Sequence, residues 1–116
     1  MNKIKVYEKP TCTTCRNVSK VLLEKGINFE KVNYYIEPFS KTKLNSLLKK
    51  MNMKPSELLR KNEEVYKTMK QQIAVMSESE ILELMIENPD LVQRPIVEVN
   101  DKAILARPAE EINKLF

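Results

Sequence analysis

The sequence has no histidine. That removes a Ser-His-Asp triad, a Cys-His dyad and every His-ligated metal site from consideration. It has no tryptophan, three phenylalanines and four tyrosines, too few aromatics for a platform on which nucleic-acid bases stack. No apolar run approaches the roughly 18 residues of a membrane span, and the opening segment MNKIKVYEK lacks the apolar stretch of a secretory leader. Glycine occurs once, at Gly26, and cysteine only twice, at Cys12 and Cys15.

What is present suits one globular domain of 116 residues, 42% hydrophobic and 31% charged. A chain of this length builds a core without disulfide or metal supports, which are needed mainly below about 40 residues. A cytoplasmic protein is expected, and in that reducing compartment a CxxC pair reads as catalytic or redox-sensing rather than structural. The net charge is +4. The lysines are scattered, with Lys49-Lys50 the only adjacent pair; this reads as solvated helix faces rather than the dense patch of a nucleic-acid binder. Arginine is scarce: Arg16, Arg60, Arg94 and Arg107. A guanidinium grips oxyanions bidentately where lysine cannot, although surface ion pairing would account for scattered arginines equally well.

Lys3–Tyr7 alternates, with Ile4 and Val6 on one face, and predicts a strand ended by Pro10. Thr11 or Cys12 can cap a helix running to about Lys25, with Val18, Val21, Leu22 and the Lys25 stem on its inner face. Gly26 stands where a left-handed residue closes a helix. Phe29–Tyr34 reads as a second strand, completing β-α-β. A helical stretch follows at about 40–90. Ser40 caps a helix through about Met51; Pro55–Arg60 and Glu63–Lys70 are two more; Ser77-Glu78-Ser79-Glu80 is a capping box opening another that stops near Asn88-Pro89. Ile96–Val99 and Lys102–Leu105 are strands joined by Asn100-Asp101, which suits a type I′ turn. Pro108 opens a last helix carrying Ile112, Leu115 and Phe116. The order β-α-β, helical insertion, β-β-α predicts an α/β chain of thioredoxin-like fold with a central mixed four-stranded sheet.

Cys12 lies past the carboxyl end of the first strand, where open α/β sheets place their sites, and at a helix N-terminus, where the dipole and unpaired N–H groups favour the thiolate. Cys15, one turn further, shares its face. Cys12 is therefore the candidate nucleophile and Cys15 the more buried partner, with Arg16 a nearby charge favouring the thiolate. Two plain alternatives stand beside this reading. Both cysteines could be small core residues. They could also form half of a zinc site, although no further Cys or His is present to complete one. Arg94-Pro95 is the second candidate. A strand-leading proline is ordinarily trans; beside a CxxC pair, a cis bond facing the thiol is the favoured reading.

These residues carry a resemblance. Pro10-Thr11-Cys12-Thr13-Thr14-Cys15-Arg16-Asn17, Leu58-Leu59-Arg60-Lys61-Asn62 with Tyr66, Arg94-Pro95-Ile96-Val97 and Arg107-Pro108-Ala109-Glu110 together resemble the glutaredoxin-coupled arsenate reductases, over essentially the whole chain. The resemblance implies that Cys12 attacks arsenate and that Arg60, Arg94 and Arg107 hold the oxyanion. It implies glutathione as co-substrate, glutaredoxin or thioredoxin as reductant, and no bound cofactor or metal. Two positions depart from the pattern. Glu8 stands where such enzymes often carry histidine, and a negative charge pointing inward would oppose oxyanion binding. Cys15 stands where they often carry serine, and could supply a resolving thiol in place of glutathione. The chain also lacks the C-terminal extension of some members. The expected function is an arsenate-reductase-like thiol oxidoreductase. The alternatives are a redox-switched transcription regulator resembling the Spx type, with RNA polymerase as its partner, and a glutathione-dependent thiol-disulfide reductase.

Overall fold

A computed structural model describes residues 4–9, 11–107 and 109–115. Pro10, Pro108, Lys3 and Phe116, named in the expectations above, lie outside the described residues. The chain divides into two compact units, one formed by the segments up to Glu37 and from Arg94 onward, the other by Pro38–Gln93.

The first unit holds the sheet. β1 (Ile4–Glu8), β2 (Glu30–Asn33), β3 (Ile96–Val99) and β4 (Lys102–Leu105) lie in the order β2-β1-β3-β4. β1 pairs parallel with β2 and antiparallel with β3, and β3 pairs antiparallel with β4, so the sheet is mixed. Between β1 and β2 runs α1 (Thr13–Glu24). β1 extends to Glu8 because Glu8 still pairs with Asn33. β2 is shorter than its apolar pattern suggested. The Asn33 side chain accepts from the Tyr35 N–H, and its carbonyl accepts from the N–H groups of Ile36 and Glu37. This Asx turn lifts the chain off the sheet at Tyr34.

Side chains alternate across the sheet. Ile4, Val6, Val97 and Val99 are buried in one cluster with Val18 and Leu22 of α1 and with Ala109 and Ile112 of a C-terminal 3-10 helix (Ala109–Leu115). The last helix is thus 3-10 rather than α. On the opposite face, Tyr7 Oη donates a 2.8 Å hydrogen bond to buried Glu98.

α1 closes as its one glycine suggested. Gly26 has φ +71°, and the N–H groups of Gly26 and Ile27 bond the carbonyls of Leu23 and Leu22, a Schellman motif. Between β3 and β4, only Asn100 of the turn pair has positive φ. A type I′ turn needs both central residues there, so the expected turn type is not the one formed.

The second unit is helical: α2 (Lys41–Met51), α3 (Pro55–Leu58), α4 (Glu64–Ala74) and α5 (Glu78–Glu87), then a 3-10 turn at Pro89–Leu91. Ser40 caps α2, and Ser77 with Glu80 forms the capping box of α5. α3 stops before Arg60 because Leu59 leaves the helix to bridge Val92. α4 runs past Lys70, and its buried residue is Ile73, beyond the end that the sequence pattern marked. Among the described residues, no helix is long and apolar enough to cross a membrane.

Candidate active site

The site grows from the end of β1. Strand geometry delivers the chain to the head of α1, and Cys12 becomes the N-cap residue, with extended backbone. Its Sγ accepts from the Cys15 N–H at 3.3 Å, so the sulfur occupies the place a serine or aspartate oxygen ordinarily takes. Both cysteines are free; Cys12 is half-buried and Cys15 fully buried.

The two thiols are driven in opposite directions. Burial works against ionisation of Cys12. It is outweighed by hydrogen bonds from the Cys15 side chain and backbone N–H and by the charge and N–H groups of Arg94, so the thiol sits below its ordinary value. Burial pushes the Cys15 thiol up to about 12, reinforced by its bond to Cys12 and by the negative charges of Cys12 and Glu8, against the opposing backbone hydrogen bond at Lys9. One thiol is held toward its thiolate and the other toward its protonated form.

Arg94 is the charge that matters most to Cys12, in the role the sequence suggested for Arg16. Arg16 lies on the exposed side of α1, where water screens its charge. Arg94 is only 5% exposed. Its Nη1 donates to the hydroxyls of Tyr35 at 3.2 Å and Tyr34 at 3.5 Å, and its guanidinium lies 5.9 Å from the Tyr35 ring centroid. Burial opposes its charge, but the tyrosines sustain it and Arg94 stays protonated. Neither tyrosine stood out in the sequence. The signal was topological: β2 ends beside the end of β1, and Tyr34-Tyr35 are the next two residues.

The Arg94–Pro95 peptide is cis and Pro95 is buried. Arg107, on the far side of β4, donates from Nη1 to the Arg94 carbonyl at 2.9 Å. The first unit therefore gathers Cys12, Cys15, Arg94, Pro95 and Arg107. Among the described residues, Arg94 Nε is buried without a hydrogen-bond partner. Such a donor costs free energy unless something accepts from it, and an oxyanion would. Arg60 belongs to the helical unit, where its Nε pairs with Glu63 at 3.3 Å and its buried Nη1 also lacks a partner among the described residues. No group of Cys, Asp and Glu among the described residues could hold a metal ion.

The ArsC family model matches residues 7–115. This chain belongs to the ArsC family. It is 35% identical over 111 residues to the uncharacterized protein YfgD of Escherichia coli, with 95% of this chain and 93% of that protein covered. It is 34% identical over 113 residues to an arsenate reductase of Yersinia enterocolitica, covering 97% and 79%. It is 30% identical over 109 residues to the regulatory protein MgsR of Bacillus subtilis, covering 94% and 86%. Among solved structures, an arsenate reductase from Vibrio cholerae superposes with a TM-score of 0.92 at 26% identity, over 98% of each chain. This ArsC-family chain thus has a thioredoxin-like fold, and its relatives named as arsenate reductases support an arsenate-reductase-like function.

Proposed function

We propose that this chain reduces arsenate to arsenite through the Cys12 thiolate. The observation that carries the reading is the pairing of a lowered thiol with a buried, tyrosine-held arginine that has an unsatisfied N–H. The Cys12 sulfur attacks arsenic and water leaves, giving a Cys12–S–As(V) adduct. A second thiol, from glutathione or Cys15, attacks the Cys12 sulfur. The S–As electron pair departs with arsenic, which leaves as arsenite, and a disulfide remains on the protein. Glutaredoxin or thioredoxin returns the protein to its dithiol form. Arg94 and Arg107 bind the oxyanion, each charge-assisted bond contributing roughly 1.5–3 kcal/mol. Arg60 is the third arginine that the family resemblance implies.

The test is NADPH consumption by purified protein with arsenate, glutathione, glutaredoxin and glutathione reductase, beside the Cys12→Ser variant. Arsenate-dependent turnover that disappears in the variant is expected. Its absence, with thioredoxin tried in place of glutaredoxin, rejects arsenate as substrate; activity on mixed disulfides alone would then assign a thiol-disulfide reductase.

The similarity to MgsR, together with the CxxC pair, favours a second reading: a regulator switched by a Cys12–Cys15 disulfide. Binding to RNA polymerase that strengthens on oxidation would support it. The arginine set of the site favours the reductase, since a disulfide switch has no need of an oxyanion cradle.

A further inference from the structure

A resolving thiol held fully protonated cannot attack. Cys15 is fully buried and burial is the first cause of its raised thiol, so a mechanism that uses it needs a group to take its proton. The buried carboxylate that the reaction above leaves idle is Glu8.

Glu8 ends β1 and is only 5% exposed. By strand alternation its side chain lies on the same face as Ile4 and Val6, the face covered by α1. There Ser19 Oγ donates to Glu8 Oε1 at 3.4 Å. Ser19 follows Cys15 by four residues, one helical turn, and both are buried on the same side of α1. The next residue after Glu8, Lys9, meets Cys15 through a backbone hydrogen bond. The end of β1 thus lies against Cys15 through two consecutive residues. The groups that meet the carboxylate are Cys15 and Ser19 from α1, with Asn33 its register partner on β2.

We propose that Glu8 is the proton acceptor for Cys15, making Cys15 the intramolecular resolving thiol. This rests on the reading of Cys12 as nucleophile and deepens it. In the step, the Cys15 proton passes to the Glu8 carboxylate. The Cys15 sulfur bonds the Cys12 sulfur, and the bond between Cys12 and its adduct breaks. The electron pair leaves with the departing group, arsenite or a thiolate. The pair of thiols is oxidised by two electrons and the departing group is reduced by two. A carboxylate at this position, which as a bystander would only repel an oxyanion, then has a use.

The probe is 5,5′-dithiobis(2-nitrobenzoate). It reacts with Cys12, releasing one thionitrobenzoate; Cys15, too buried for the reagent, releases the second by attacking the mixed disulfide. Glu8→Gln is expected to leave the first release within about twofold and to slow the second by about 100-fold or more, the low end of general-base effects. Glu8→Asp, which keeps a carboxylate, is expected to restore most of the second rate. Circular dichroism establishes that each variant is folded. If Glu8→Gln does not fold, the unaltered protein decides. With Glu8 as acceptor, its second release rises clearly less than tenfold per pH unit between pH 7 and 9. A full decade per unit means unaided thiol ionisation and overturns the proposal. An unchanged second release in folded Glu8→Gln also overturns it, leaving the Cys12 reading intact. A first release absent from the unaltered protein overturns both, and a second release absent from it removes Cys15 as resolver and Glu8 with it.

Discussion

Arg107 Nη1 donates a 2.9 Å hydrogen bond to the backbone carbonyl of Arg94. Two of the chain's four arginines are thus fastened to each other, one by its side chain and the other by its main chain. Arg94 is held again from the side-chain end by Tyr34 and Tyr35. A guanidinium fixed at both ends loses little freedom when an anion arrives, which is how preorganisation raises affinity.

Arg94→Gln should therefore remove a charge held ready for the anion. Turnover with arsenate is expected to fall by about 10- to 100-fold, the equivalent of one charge-assisted bond. Arg107→Ala removes the tether as well as a charge, and kcat/KM with arsenate is expected to fall by at least about tenfold. Steady-state kinetics on both variants check this, and wild-type values for both would remove the two arginines from the site.

The Cys12 thiol sits below the ordinary range, so more of it is thiolate at neutral pH. Iodoacetamide alkylation of Cys12 should be half-maximal below about pH 8.5, the midpoint of an unperturbed cysteine. Arg94→Gln should move that midpoint upward, and unfolding in guanidinium should return it to about 8.5. Mass spectrometry of the alkylated peptide follows each case.

Cys15 carries the opposite shift, and its sign sets a stability trend. Its folded-state thiol is raised to about 12, while the unfolded chain ionises it from about pH 8.5. The unfolded state therefore binds fewer protons above that pH. Stability falls as pH rises from about 8.5 toward 12, by at most about 1.4 kcal/mol per pH unit. Urea unfolding at pH 8 and pH 10 should show the loss, and Cys15→Ala should flatten it.

Ser77 and Glu80 satisfy each other's backbone N–H groups at the head of α5, at 3.2 and 3.0 Å. Ser77→Ala should destabilise the protein by about 1 kcal/mol without touching the cysteine chemistry. Urea midpoints paired with Cys12 alkylation rates separate the two effects.

Much of this was legible in the sequence, for identifiable reasons. β3 and β4 were bounded correctly because β-branched and apolar residues run up to a two-residue turn. α2 and α5 were bounded correctly because Ser40 and Ser77 are unambiguous caps. Pro10 and the apolar spacing of α1 left the cap at Thr11 or Cys12, and the structure puts it at Cys12. What stayed hidden depended on neighbours distant in sequence. Tyr34 read as the end of a strand and Tyr35 was not singled out, because nothing local shows that Asn33 turns the chain or that Arg94 arrives sixty residues later. Arg16 read as a charge favouring the thiolate because it adjoins Cys15, but it lies on the exposed side of α1. The burial of Glu8 beside Ser19 is likewise a property of packing, not of pattern.

The most direct test of the account mixes the reduced protein with arsenate under argon, without glutathione or any other thiol. Arsenic species are separated and counted, and the protein is weighed by intact mass spectrometry. The account predicts one arsenite per chain and a mass two hydrogens lower, from a Cys12–Cys15 disulfide, with neither product from Cys12→Ser. Arsenite from the Cys12→Ser variant, or none from the unaltered protein even when glutathione is added, would contradict it.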